Sequence, residues 1–559
     1  MKLIDRHSSS FTIAAPKKIE ATEKAVKILQ NYIFQVTDCM LPIAEKVCEK
    51  CLKEKIIVDI APFDLQIDGC DDLGDEGFVI AEKDGTVYIL GASADGLTFG
   101  CYEFLEQFFG CVWLTASDDY IPHKCTVEIP DGYFDKQVPK LNYREVYYRN
   151  SWDPTIAEKL KLNGQLTYIK DKKLVEGHKN WGFWCHSFYT LIPPEKYFDS
   201  HPEYFSLVDG ERVNNGQLCC TNDEMIAEAI ENLKKFMAEK PDAKYWSVSQ
   251  NDTTRFCTCE KCRKLDEEAG SQIGSIMYFV NKVAEAFPDK VISTLSYWYS
   301  RTAPKYIEMR DNVHIMLCNI ECDRSKPIPE NPQCESFVKD IAVWHKYCGN
   351  VFLWDYDIQF ANLISPFPNF RVLAPNMKFF YENSVRSIFN QANREQGGDF
   401  WALRTYLLAK LSWDPYCDIE KHRQNFLNAY YGPAAPYIDK YLNTMADELE
   451  KTGEGLSIFG YPQDEKFLAK ELMPMYKSFF VEAKNAVKDD PKLLLRVEED
   501  EMGLVYAILK AKLYDSEEEK QSLMAFFRRV ADAVKLEKVE EWKITVDMFL
   551  DSLNEPASV

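Results

Sequence analysis

Four short runs in this sequence end beside an acidic or amide side chain: Tyr245-Trp-Ser-Val-Ser-Gln-Asn251-Asp252, Val313-His-Ile-Met-Leu-Cys-Asn-Ile-Glu321, Val351-Phe-Leu-Trp354-Asp355-Tyr-Asp357 and Val385-Arg-Ser-Ile-Phe-Asn390-Gln391, the last with Glu395 beyond it. Carboxylates, amides and aromatic rings together suit a sugar. Rings stack on pyranose faces, amides and carboxylates bind hydroxyls, and paired carboxylates cleave glycosidic bonds. Asp252, Glu321 and Asp355 are the candidate catalytic carboxylates. Asn251, Asp357, Asn390, Tyr297, Trp298 and Trp354 are candidate substrate contacts. Alternation along a strand sends Asp355 and Asp357 to one side. Like charges there raise one pKa, which suits a general acid. The competing readings are a helix N-cap at Asn251-Asp252, and a surface loop or an ion pair with Arg301 or Arg324 at Asp355 and Asp357.

Two basic groups join the candidates. Arg144 lies in the aromatic run Tyr143-Arg-Glu-Val-Tyr-Tyr-Arg149. A buried charge needs a partner, either substrate hydroxyls or a structural pair with Glu145 or Asp355. His186 ends the run Trp181-Gly-Phe-Trp-Cys-His186; it is either a substrate contact or a satisfied core histidine.

Cys257-Thr-Cys259-Glu-Lys-Cys262 has C-x-C-x-x-C spacing. Three thiolates this close can share Zn²⁺, which takes four ligands in a structural site. Cys219 or Cys220 in Gln217-Leu-Cys-Cys supplies the fourth. Free thiols are the other reading. A closed four-ligand site would pin the loop after Asp252 and do no chemistry, so no catalytic cofactor is expected. The sequence has no Walker A loop, no G-x-G-x-x-G after a strand, no G-x-S-x-G and no H-E-x-x-H. Phosphoryl transfer, dinucleotide redox chemistry, lipase-like chemistry and zincin proteolysis have no support.

The elements that must position these groups alternate between residues 141 and 414. Strands are predicted over Tyr143–Tyr148, Trp181–Phe188, Trp246–Gln250, Val291–Tyr297, Val313–Ile320, Val351–Tyr356 and Val385–Asn390, with the weak run Gln165-Leu-Thr-Tyr-Ile as an eighth. Helices fall between them, notably Gly274–Phe287 and Cys334–Tyr347. Apolar runs of this kind suit parallel strands buried on both faces, and alternation over roughly 250 residues predicts a (β/α)8 TIM barrel with its chemistry at the C-terminal strand ends. Before the barrel, residues 1–136 read as a small α/β domain. It has a helix over Lys18–Val36, a hairpin turning at Asp84-Gly85, a helix over Gly96–Phe109 and a linker at Pro130–Pro139. The barrel domain spans 137–415. Residues 416–559 read as an all-helical domain, so the class is α/β with a helical appendage.

The 559 residues carry 66 Lys and Arg against 88 Asp and Glu, a net charge of -22. Nucleic acid is not an expected partner, because phosphate binding needs a basic surface. No apolar run approaches the ~18 residues that span a bilayer, so no membrane partner is expected. With no apolar leader after Met1-Lys-Leu-Ile-Asp, the 18 Cys are expected as reduced thiols in the cytoplasm.

Several blocks resemble a known family. His186-Ser-Phe-Tyr-Thr-Leu-Ile-Pro-Pro-Glu-Lys-Tyr-Phe, His201-Pro-Glu-Tyr-Phe-Ser-Leu-Val-Asp-Gly-Glu-Arg212, Val248-Ser-Gln-Asn-Asp252 with its cysteine run, and Tyr430-Tyr-Gly-Pro-Ala-Ala435 are similar to domain of unknown function 4838. That family is known mainly from bacteria, and part of it forms glycoside hydrolase family 163, endo-β-N-acetylglucosaminidases acting on N-glycans. More distantly the chain resembles family 20 β-hexosaminidases and α-glucuronidases, which place a small α/β domain before a (β/α)8 barrel. Family 20 enzymes carry an Asp-Glu pair at the end of barrel strand four; the Asp orients the substrate's acetamido nucleophile and the Glu is the acid/base. Asn251-Asp252 stands there in this chain. Asp252 is then the acid, or it orients substrate while Glu321 or Asp355 is the acid. Arg144 matches the first-strand Arg of that family, which binds sugar hydroxyls. The resemblance implies a glycoside hydrolase acting on β-linked N-acetylhexosamine-containing or related oligosaccharides. The alternatives are an α-glucuronidase-like inverting hydrolase using Asp252 or Glu321 with Asp355, or a carbohydrate-binding barrel without catalysis.

Overall fold

The computed structural model describes the chain except residues 45–52, 64–66, 165–167, 171–172, 176–180, 350, 542 and 555–559. Its centre is a sheet of seven parallel strands in the order Tyr143–Val146, Val385–Gln391, Val351–Tyr356, Val313–Cys318, Val291–Ser296, Tyr245–Ser247, Trp181–Phe183. The sheet curls. Tyr143 on one edge strand reaches Trp181 on the other, ring to ring at 6.4 Å, and Phe352 from the middle of the sheet meets both, at 5.0 and 5.8 Å. Helices Asp223–Glu239, Ile273–Ala286, Glu335–Tyr347 and Phe370–Glu382 connect successive strands, and Trp401–Trp413 follows the last. These strands are β-branched and aromatic runs buried on both faces, as a helix-covered parallel sheet requires.

The expected Trp181–Phe188 strand stops at Phe183, and a short helix begins at Phe188. The expected eighth strand lies partly outside the described residues. Its remainder, Tyr168–Lys170, pairs antiparallel with Lys173–Val175 in a two-stranded sheet of its own.

Ahead of this sheet stands a five-stranded one, ordered Thr12–Ala14, Lys55–Ile60, Thr86–Gly91, Phe78–Lys83, Phe134–Gln137. Asp84 and Gly85 both take positive φ, 53° and 79°, as a two-residue hairpin turn of the I′ kind demands. The segment expected to be a linker instead contains the last of these strands, so a boundary after residue 136 would cut it; Gln137 pairs with Phe78. The sheet abuts the helix Trp401–Trp413, where Phe78 stacks on Trp413 at 5.8 Å. Among the described residues no named strand follows Gln391. Helices Ile419–Tyr431, Ala435–Thr452, Met473–Val487, Pro491–Lys510, Glu517–Val534 and Val546–Ser552 fill that stretch. No described helix is long and apolar enough to cross a membrane.

Candidate functional site

Strand parity decides which side chains reach the concave face of the curled sheet. In parallel register, Cys318, Trp354 and Phe389 stand level on neighbouring strands, and all three line a cavity of about 390 Å³ at the C-terminal strand ends. That volume lies within the range of ligand pockets, about 300–1,000 Å³. Since successive residues alternate, Tyr356 and Gln391 join them in the wall. The floor is aromatic: the Trp184 ring packs on Phe389 at 4.8 Å and on Trp354 at 5.7 Å. Trp354 Nε1 donates to Gln391 Oε1 at 2.9 Å.

Asp252 lines this cavity from the loop after Tyr245–Ser247. The Tyr297 hydroxyl donates to its Oδ1 at 3.2 Å. Burial, and then the Asp252 charge, push the Tyr297 phenol far above its ordinary pKa, so it stays a donor. Cys185 is pushed up to about 12, by burial first and by Asp252 second. His186 also faces the cavity, on a backbone at φ 50°, a region few residues other than glycine occupy. Its Nδ1 lies 2.7 Å from the Gln250 carbonyl oxygen. A carbonyl only accepts, so Nδ1 carries the proton and Nε2 is left as the free ring nitrogen. A second hollow of about 640 Å³ shares His186 with the first and runs toward Tyr189, Phe198 and Asp199.

Of the sequence candidates, the structure thus brings Asp252, His186, Tyr297 and Trp354 to one cavity. The others lie elsewhere, for stated reasons. Asp355 and Asp357 do share a side, but it is the side opposite Trp354 and Tyr356. Asp355 accepts from Asn319 Nδ2 at 2.6 Å; burial raises its pKa and Arg324 opposes the rise. Asp357 is buried and pushed well up, by burial first and Asp355 next. Asn390, level with Asp355, also faces outward, with Nδ2 donating to the Glu145 carbonyl. Arg144 has the same outward parity. It is fully buried and bound to Glu76, Leu141 and Lys161, so its partner is neither Glu145 nor Asp355 nor a substrate. Glu321 is not in the wall; it pairs with Arg301 at 3.4 Å. Asn251 holds the loop rather than the cavity, with its Nδ2 donating to the Gly216 carbonyl. Trp298 is 49% exposed and outside the wall.

The far wall was not anticipated. Gln391 and Arg394 come from the last barrel strand and the loop after it, Phe459 and Glu541 from the C-terminal helical region. The Glu541 amide donates to the Phe360 carbonyl, and Lys538 pairs with Glu395 at 2.8 Å, which seats this roof on the barrel. No local pattern announces Glu541, because its role depends on a chain segment folding back across more than a hundred residues.

The cysteines of the C-x-C-x-x-C run also converge. The sulfurs of Cys219, Cys257, Cys259 and Cys262 all lie within 4.8 Å of one another. Cys220 is excluded from the group and directs its thiol to the Leu218 carbonyl.

The parallel sheet curls and carries an aromatic cavity over its C-terminal edge. The structure is similar, over 100% of this chain and 81% of the other, to a family GH115 4-O-methyl-α-glucuronidase with specificity for decorated arabinogalactans (TM-score 0.58, 11% identity). Further similarities are to CpGH84B, covering 99% and 97% of the two chains (TM-score 0.48, 13% identity), and to a Clostridium perfringens GH89 protein bound to GlcNAc-α-1,4-galactose, covering 92% and 64% (TM-score 0.46, 12% identity). At such identities the likeness is one of fold. No curated protein sequence matches. Residues 113–443, more than half of the chain, match domain of unknown function DUF4838, and the protein belongs to that family.

Proposed function

We propose that the protein is a glycoside hydrolase, with the curled sheet as its (β/α)8 catalytic barrel, acting on β-linked N-acetylhexosamine-containing oligosaccharides. The observation that carries this is Asp252 at the rim of an aromatic cavity, with a hydroxyl donor on one oxygen. Asp252 serves as the acid that protonates the departing glycosidic oxygen. Trp184, Trp354 and Tyr356 cover one face of the sugar. Among the described residues, no strand of the curled sheet places a carboxylate in the cavity wall. That favours a substrate that brings its own nucleophile, the 2-acetamido oxygen. The hollow past His186 offers room for a second sugar unit, which supports an oligosaccharide over a monosaccharide glycoside.

A second reading has its own observation. Glu541 shares the cavity with Asp252, and the two together would serve an inverting hydrolase, whose carboxyl groups stand about 6.5–9.5 Å apart with water between them. Arg394, which lines the same cavity and pairs with Glu395 at 3.8 Å, carries the charge that suits the carboxylate of a uronic acid. The deciding experiment is a panel of aryl N-acetylhexosaminides and uronides, assayed on the wild type and on Glu541→Gln, with the anomer of the first product read by NMR. Turnover of the N-acetylhexosaminide with retained configuration and a near-normal kcat for Glu541→Gln is the expected result. Turnover of a uronide alone, with inversion and loss of activity in Glu541→Gln, assigns the second reading. No turnover of any member by the folded protein leaves the carbohydrate-binding reading.

Trp354→Ala is expected to raise KM about tenfold. Ring stacking contributes on the order of 1 kcal/mol beyond buried area, and the ring also orients Gln391. Trp354→Phe keeps a ring and loses only that orientation, so its KM falls between the two. Equal KM values for all three proteins would remove Trp354 from the site.

A further inference from the structure

We propose that Cys219, Cys257, Cys259 and Cys262 bind one structural zinc ion, and that this ion clamps the loop bearing Asp252. Sulfurs held about 2.3 Å from a tetrahedral zinc lie about 3.8 Å from each other. Cys219 and Cys259 sulfurs are 3.6 Å apart, and all four lie within 4.8 Å. A disulfide would need sulfurs about 2.05 Å apart, and the four cysteines are free thiols.

The surroundings suit thiolates. The Leu207 amide points at Cys257 Sγ from 3.4 Å, and Arg212 Nη1 approaches the same sulfur at 3.8 Å. Thr221 Oγ1 lies 3.2 Å from Cys262 Sγ. Binding converts four thiols and Zn²⁺ into a tetrathiolate complex of net charge -2, releasing four protons to solvent. Arg212 offsets part of that charge. Three of the sulfurs belong to buried residues, so the complex is shielded from water.

The ligands come from two places in the chain, and that gives the ion its purpose. Cys219 ends the segment after the small hairpin Leu207–Val208/Glu211–Arg212. Cys257 and Cys259 lead into the helix Glu260–Ala269, and Cys262 stands in its first turn. Two residues before Cys219, the Gln217 side chain donates to the Asn251 and Thr253 carbonyls, each at 2.7 Å. It also accepts from the Asn251 amide at 2.8 Å. Those bonds bracket Asp252. Joining Cys219 to the cysteines beyond Asp252 ties both sides of the loop together, and so sets where the carboxylate stands.

The test begins with elemental analysis of the full chain, purified without chelator or added metal. The result expected is about one zinc per chain. Exchange with Co²⁺ should give thiolate-to-cobalt charge transfer and the visible bands of a tetrahedral site. Cys259→Ser should lose the metal, while Cys220→Ala should keep it. If Cys259→Ser does not fold, mercurial titration of the wild type replaces it, with one zinc released as the cluster thiols react. Hydrogen exchange then reads the clamp: residues 216–219 and 251–259 should lose protection when zinc is removed. Zinc-free protein that does not take up zinc overturns the site, as does iron in its place or full zinc in Cys259→Ser. Unchanged protection on zinc removal overturns the clamp. Metal content is read without turnover, so this result stands apart from the hydrolase reading.

Discussion

Asp252→Asn is expected to lower kcat by at least about 10² while KM stays near its wild-type value, since a positioned proton donor typically contributes 10²–10⁴-fold. The substitution is close to isosteric, and an amide oxygen still accepts from the Tyr297 hydroxyl that now bonds Asp252 at 3.2 Å. What is lost is the proton. The loss should therefore grow with the basicity of the leaving group. A substrate whose departing phenolate is already stable needs little protonation, and the variant should turn it over with a small deficit. A substrate whose departing group is a sugar hydroxyl should show the full loss. Steady-state kinetics on two glycosides that differ only in the leaving group measures both. Equal turnover of the sugar-linked glycoside by wild type and a folded Asp252→Asn would remove the residue from proton transfer. An equal loss on both substrates would instead assign Asp252 to holding the sugar.

The parallel strands could be read from the chain because apolar runs separated by helical patterns leave few arrangements other than a parallel sheet. Val313–Cys318 and Val351–Tyr356 needed no tertiary information. The inward parity did. Trp354 and Asp355 both qualify as site residues by type, yet adjacent positions on a strand face opposite ways. Only the contact of Phe352 with Tyr143 and Trp181 reveals that the aromatic set is the inward one. With that known, Asp355, Asp357, Asn390 and Arg144 are placed on the outward face by counting. Glu321 is a different case. Its loop leaves the strand and meets Arg301, and no pattern within the run foretells that. The cysteine spacing identified three neighbours because they are close in sequence. The choice of Cys219 over Cys220 rests on which of two adjacent side chains turns toward the group, again a matter of parity. The far wall, with Phe459 and Glu541, is long-range packing and was invisible.

Arg144→Met is expected to destabilise the fold by about 3–5 kcal/mol without changing KM, because deleting one partner of a buried ion pair leaves the other charge uncompensated. The guanidinium is fully buried and spends its donors on three acceptors: the Lys161 carbonyl at 2.8 Å, the Leu141 carbonyl at 2.7 Å and Glu76 Oε2 at 2.8 Å. It also lies 5.1 Å from the centre of the Trp413 ring. Glu76 belongs to the segment just before the five-stranded sheet's hairpin, so this pair joins that sheet to the first barrel strand. Asn163 Nδ2 donates to the same carboxylate and would remain beside it as a neutral donor. Glu76→Gln should cost less, since an amide still accepts from the guanidinium. The double variant should cost less than the two single variants summed, the mark of a direct interaction. Midpoints of denaturant unfolding, set beside KM for the folded fraction at low temperature, separate the two roles this arginine was open to. A tenfold rise in KM with an unchanged midpoint would return Arg144 to the substrate. A lowered midpoint with unchanged KM fixes it as the joint between the two sheets.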